Sequence, residues 1–213
     1  MKHNDAETPP FAPRRRLMMC LAALAVAFTV SQPPPAHADH ATPPPVPPDI
    51  QVPAGNKTFL EGDAIGTQDY ICLPSGAGFA WTFFGPQATL FNEHDEQIIT
   101  HFLSPNPFES GTPRATWQHS KDTSTVWALT IASSSDPAFV APGAIPWLLL
   151  KVVGAQNGPT GGDTLSATTF IQRLNTAGGV APSTGCTLST DVGKMALVPY
   201  TAEYFFDKAI KHK

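Results

Sequence analysis

From Thr58 onward the apolar positions never settle into the three- and four-residue spacing of a helix. They come in short runs broken by Gly, Pro, Asn, Asp or Ser, and such runs read as β-strands separated by turns. The pattern predicts strands at residues 65–73, 79–84, 97–102, 115–118, 125–132, 145–153, 168–174 and 196–206. Asn92-Glu93-His94-Asp95-Glu96 has the polarity of a hairpin tip, and Gly158-Pro159-Thr160-Gly161-Gly162 that of a turn. Residues 104–112, with Pro105, Pro107 and Gly111, read as a longer loop. Ile145-Pro146-Trp147-Leu148-Leu149-Leu150 is nearly all apolar, so this strand is expected to be buried on both faces or to lie across the core. Pro146 has no amide hydrogen for a ladder and belongs at the strand's start or on an edge. The expected fold is all-β: a single-domain antiparallel β-sandwich or barrel with long loops.

The chain before Thr58 follows other rules. Arg14, Arg15 and Arg16 precede an apolar stretch at residues 17–30, and Ala36-His37-Ala38 follows it. A basic region, an apolar region and small residues at the two positions a peptidase reads make a secretory leader, with cleavage expected after Ala38. The apolar stretch falls short of the roughly 20 residues that span a bilayer, so no stable membrane span is expected in the mature chain. Met19 stands before Cys20 where a lipidated cysteine needs a small residue, so Cys20 is expected to leave with the leader. Residues 1–38 are thus read as signal peptide, residues 39–57 as a proline-rich linker, and residues 58–213 as the β-rich domain. The linker carries Pro43, Pro44, Pro45, Pro47, Pro48 and Pro53, which favour extended chain. Asn56-Lys57-Thr58 matches a glycosylation sequon, relevant in a eukaryotic secretory route.

Cleavage changes the charge balance. The full chain has 13 Lys+Arg and 17 Asp+Glu. Removing Lys2, the three arginines, Asp5 and Glu7 leaves 9 basic and 15 acidic residues, a net of −6. Only two arginines remain, Arg114 and Arg173, and no basic run, which excludes nucleic acid as an expected partner. Three cysteines become two, Cys72 and Cys186. In an exported protein such a pair is most simply a disulfide, the alternative being two free thiols.

Several segments carry a family pattern: Gln68-Asp69-Tyr70-Ile71-Cys72, Pro86-x-Ala88-Thr89-Leu90, His101-Phe102 and Ala144-Ile145-Pro146-Trp147-Leu148-Leu149-Leu150. The longest is Phe170-Ile171-Gln172-Arg173-Leu174-Asn175-Thr176-Ala177-Gly178-Gly179-Val180-Ala181-Pro182, with Cys186 beyond it. Val198-Pro199-Tyr200-Thr201-Ala202-Glu203-Tyr204-Phe205-Phe206 closes the series. Over about residues 50–207 the chain resembles the exported domain-of-unknown-function 3455 family. The resemblance implies a single exported β-rich domain and brings no activity and no catalytic residues. Many members follow the histidine directly with Ala-Gly-Pro-x-Trp; here Phe102-Leu103-Ser104-Pro105 follows His101, and Trp117 comes only after a longer loop.

His94, His101 and His119 have the ligand chemistry of zinc or copper, with Glu93, Asp95 and Glu96 beside the first. No His-x-His or His-x-x-x-His spacing puts two of them on one face, so no metal is assigned. His94 reads as a solvated turn residue, and His101 as a hydrogen-bonded core or rim histidine. Arg173 is read two ways, as a clamp for a ligand carboxylate or sulfate, or as a bridge to an internal Asp or Glu or to loop carbonyls. Gly178 and Gly179 are expected to supply unusual backbone angles. Trp81 and Trp147 lie in apolar runs and are expected in the core, whereas Trp117 and Trp127 flank a polar loop and are the better candidates for an exposed platform. There is no Gly-x-Ser-x-Gly elbow, phosphate loop or dinucleotide fingerprint.

The leading expectation is an exported, non-catalytic ligand-binding or surface-interaction module, secreted or periplasmic, whose partner is an unknown small molecule or glycan and which uses no cofactor. Its candidate ligand surface is His101, Trp117 and Arg173. The alternatives are an enzyme acting on an extracellular carbohydrate or small ester through His101 and Glu109, and a metal-handling protein using His94, His101 and His119.

Overall fold

The computed structural model describes residues 41–211; the leader expected at residues 1–38 lies outside the described residues. Eight strands follow one another: β1 (Asn56–Ser75), β2 (Gly78–Phe91), β3 (Gln97–Asn106), β4 (Thr112–His119), β5 (Thr125–Ser134), β6 (Trp147–Gln156), β7 (Thr168–Gly178) and β8 (Met195–Ala209). Each pairs antiparallel with the next, and β8 returns to pair with β1, which closes a barrel. Closure removes the two edge strands that an open sheet would carry. Of the two architectures the strand pattern allowed, the chain adopts the barrel.

Every predicted strand is present, and most are longer than predicted. β1 begins earlier than predicted, at Asn56; after Phe59 and Leu60, which pack on the inner core, the small residues Gly62, Ala64 and Gly66 take the alternate positions and break the apolar pattern. A Cβ on Gly62 would stand 3.1 Å from Leu90 Cβ, so the small residue makes room for its neighbour's bulk. β2 continues through Pro86 because β2 and β3 pair only from Gln87↔Phe102 onward, so no β3 partner waits for the missing amide hydrogen. β3 runs on to Asn106, through part of the expected loop, and sets Pro105 opposite Pro113. Two residues without amide hydrogens fit at a non-hydrogen-bonded position of an antiparallel ladder.

Alternation along the strands divides two cores. Leu90, Ile99, Trp117, Val126, Leu150, Ile171, Tyr204 and Phe206 point into the barrel. Trp147, Leu149, Leu174 and Phe205 point outward from β6, β7 and β8 and meet Ile50 and Val140 in a second cluster. The apolar run of β6 is therefore buried on both faces, and Pro146 precedes its first residue. The cover over this outer face includes the segment expected to be a spacer. Ala41, Val46 and Val52 pack there, Ile50 is wholly buried, and the Gln172 side-chain amide donates to the Ile50 carbonyl at 2.8 Å. Its prolines favour an extended course across the strands.

One end of the barrel is closed. The wholly buried Leu165, in the β6–β7 loop, packs into the inner core there. Asp122, in the β4–β5 turn, accepts from the Thr164 amide at 2.9 Å and hydroxyl at 2.6 Å, and from the Ser124 amide at 2.9 Å and hydroxyl at 2.7 Å. Burial alone would raise the Asp122 carboxyl; these four hydrogen bonds outweigh it and hold the group below the usual carboxylate range.

Candidate functional site

Toward its other end the barrel is not completely filled. A cavity of about 240 Å³ lies among the inner faces of the strands there. It exists partly because Ala115 and Ala128, paired across β4 and β5, offer only methyl groups. β4–β5 pairing also stops at this pair, although β4 starts at Thr112 and β5 runs to Ser134. Pro113 and Arg114 on one side of the parting and Leu129 and Thr130 on the other line the cavity.

Register brings the sequence candidates together. His101 on β3 faces Trp117 on β4, and Arg173 on β7 faces Tyr204 on β8. The His101 and Trp117 rings stack at 4.2 Å between centroids and 11° between planes, and the Tyr204 ring meets His101 edge-on at 5.2 Å. The loop that separates His101 from Trp117 in sequence is absorbed by the β3–β4 hairpin, so the pair forms regardless. All four side chains, with Gln68 of β1, line the cavity.

His101 is held neutral. Burial pushes its pKa from 6.5 down to about 3, against a hydrogen bond to the Thr116 carbonyl and with help from the Arg173 charge. That carbonyl, 2.9 Å from Nδ1, can only accept, so Nδ1 carries the hydrogen and Nε2 is left as an acceptor. Burial also raises the Tyr204 hydroxyl, and the Arg173 charge opposes it. The Arg173 side chain is 9 % exposed and donates from Nη2 to the Pro146 carbonyl at 2.8 Å. No Asp or Glu among the described residues lies within ion-pair distance of it, and none lines the cavity.

The β1–β2 hairpin and the β7–β8 loop meet near this end. Tyr70 donates its hydroxyl to the Gly179 carbonyl at 2.7 Å and packs edge-on against Phe83, which is half exposed and lines the cavity. Gly178 and Gly179 have φ of 68° and 83°, a left-handed region that favours glycine. A Cβ on Gly179 would stand 3.0 Å from both Ile145 and Tyr200. Cys72 and Cys186 form a disulfide that ties β1 to the same loop, across 114 residues of sequence.

Other candidates fall elsewhere. His94 is exposed in the β2–β3 turn, 3.5 Å from Glu93. His119 lies 3.0 Å from Asp122 at the closed end. Among the described residues no three His, Cys, Asp or Glu side chains gather in a way that could hold a metal ion, so the metal-handling alternative has no assembled ligand set there. Glu109 is not in the cavity. Arg114 grips both its oxygens at 2.8 Å and Asn106 adds a bond at 2.7 Å, which pulls its pKa down to about 2. An ionised Glu109 outside the cavity and a neutral His101 within it do not make the acid–base pair the enzyme alternative needs.

The tryptophans correct the expectation in both directions. Trp117 and Trp127 are buried, not exposed on a platform. Trp117 points into the barrel. Trp127 points outward, but the short 3-10 turn Pro107–Glu109 covers it, with Phe108 edge-on at 6.0 Å and Ser104 accepting from its indole N–H at 2.9 Å. Gly154 admits this turn, since a Cβ there would lie 2.6 Å from Asn106 Oδ1. Trp147 is buried as expected, whereas Trp81 is only half buried and donates to the Thr184 carbonyl at 2.8 Å.

Gln68 and Tyr204 line the cavity beside the three residues that the sequence singles out. Their signal is the two-residue period: Gln68 continues the inner series Gly62, Ala64, Gly66, and Tyr204 the series Tyr200, Ala202.

The model of one protein family, described as a protein of unknown function (DUF3455), matches residues 53–208. No curated protein and no solved structure matches the chain.

Proposed function

We propose, starting from a chain that belongs to the DUF3455 family, that it is an exported, non-catalytic binding module that takes one small, mostly apolar molecule into its barrel. The observation that carries this reading is the cavity on which His101, Trp117 and Arg173 converge. Largely apolar walls with a few polar groups are the usual make-up of a ligand site, and an eight-stranded barrel is wide enough for one small ligand. The volume of about 240 Å³ falls below that of clefts for drug-sized molecules, roughly 300–1,000 Å³. Walls without Asp or Glu and a neutral imidazole favour binding over hydrolysis. The leader pattern and the disulfide support export, and no described helix is long and apolar enough to cross a membrane.

The test uses neutral probes, indole and 2-naphthol, on the disulfide-intact protein and on Ala128→Phe, whose ring fills the cavity. At ten times Kd the wild-type melting temperature is expected to rise by roughly 3–6 °C, and Ala128→Phe to show no rise. No shift in wild type, or equal shifts in both proteins, overturns the reading.

A further inference from the structure

We infer that the ligand of this cavity is a monoanion, an apolar body ending in a carboxylate that sits on Arg173; the inference rests on the binding reading above. Arg173 carries a cationic guanidinium and is nine-tenths buried. A buried charge without a counter-charge is costly, and the groups beside it are neutral, the Pro146 carbonyl at 2.8 Å and the Tyr204 hydroxyl. Arg114 supplies the contrast. It also lines the cavity, yet Glu109 satisfies it through two bonds at 2.8 Å. Of the two arginines in residues 41–211, one is paired and the other faces an apolar cavity without a carboxylate.

Among the cavity-lining residues the buried unpartnered side-chain atoms share one polarity. Gln68 Nε2, Trp117 Nε1 and Arg173 Nε are buried without hydrogen-bond partners, and all three residues line this cavity. Gln68 can turn its amide either way, but the arginine and tryptophan side chains can only donate. Buried donors left unpaired lose their desolvation cost with nothing in return, and an acceptor-only group brought by a ligand removes that loss. A carboxylate is such a group and pairs well with a guanidinium. One guanidinium not already matched by a carboxylate balances one negative charge, so a phosphate dianion would leave a charge uncompensated. Leu148, Leu150, Ala128 and the Trp117 ring then receive the apolar body, of the size of cinnamate or octanoate.

Calorimetry with cinnamate and octanoate, against cinnamamide, cinnamyl alcohol and 1-octanol, tests the inference on the disulfide-intact protein. The acids are expected to bind at least tenfold more tightly than their neutral counterparts. Arg173→Gln is expected to bring cinnamate and cinnamamide within threefold of each other, chiefly by weakening the acid. Trp117→Phe, which keeps the ring stack and removes one donor, is expected to weaken cinnamate three- to tenfold and cinnamamide less. If Arg173→Gln loses its native near-ultraviolet circular dichroism, the wild-type acid-to-amide ratio and Trp117→Phe decide the matter. Equal binding of acid and amide to wild type, both abolished by Ala128→Phe, overturns the carboxylate and leaves the cavity reading standing. No binding by the acids or their neutral counterparts, together with no response to indole and 2-naphthol, overturns both.

Discussion

Burial favours the neutral forms of both His101 and Asp207, and the consequences for stability run in opposite directions with pH. The His101 pKa falls to about 3 in the fold. Between that value and 6.5 the unfolded chain binds the extra proton, so stability is lost as pH falls below about 6.5. The Asp207 carboxyl is raised from 3.8 to about 6, burial outweighing the bond from Thr58. Here the fold binds the extra proton, so the contribution is fully present below 3.8 and is lost as pH rises through 6. Asp207 Oδ1 accepts from the Thr58 hydroxyl at 2.8 Å, and Oδ2 has no partner. Asn keeps the acceptor and removes the charge. Asp207→Asn is therefore expected to be more stable than wild type at pH 8, by roughly 1–2 kcal/mol after allowance for solvent screening, with the gain gone by pH 4. Urea unfolding at the two pH values measures this, and a gain independent of pH would refute it. The residues of the site were visible in the sequence as types. Their states were not, because charge depends on burial and partners. Arg114 and Arg173 are the same side chain, and only one of them has a glutamate in its grip.

At the scale of elements, strand centres were legible and strand ends were not. A strand centre shows itself through alternation of large apolar and polar residues. The start of β1 and the second half of β2 place Gly62, Ala64, Gly66, Pro86 and Ala88 on the inner face, and small residues and prolines read as interruptions. The segment before β1 was misleading in a related way. Its prolines mark extended chain, and extended chain serves equally as a spacer or as a cover over a sheet; Val46, Ile50 and Val52 make it a cover. Ile50→Ala is accordingly expected to destabilise the protein by about 2–4 kcal/mol, the range for truncating a wholly buried aliphatic side chain. Denaturant unfolding of the variant checks this, and a loss under 0.5 kcal/mol would return the segment to the role of a spacer.

For the molecule as a whole, closure and cross-linking act together. β1 and β8 hold each other through a continuous ladder from Asn56↔Ala209 to Ile71↔Met195, interrupted by one shift in register. The Cys72–Cys186 bond then ties the far end of β1 to the loop that leads into β8. Because its loop spans 114 residues, the bond restricts the unfolded chain strongly, by about 4–5 kcal/mol in the chain-entropy model. Replacing both cysteines with alanine is expected to cost 2–5 kcal/mol, read as a lower midpoint in guanidinium with the oxidised wild type as reference. An unchanged midpoint would show that the loop is held by its other contacts, such as Trp81 on Thr184.

The amino-acid sequence by itself determined that this is an all-β chain of eight strands with one pairable cysteine couple, Cys72 and Cys186, in its β-rich part. These are local properties, written in a two-residue period, in turn residues and in a count. It also marked His101, Trp117 and Arg173 as side chains worth following. Only the tertiary structure decided that β8 closes on β1 to make a barrel, and that Ala115 and Ala128 leave a cavity in its interior. It alone decided that Arg173 lines that space without a carboxylate beside it. The reason is register. Which residues face each other across two strands depends on pairings between distant parts of the chain, and those pairings determine volume, burial and the company each charge keeps.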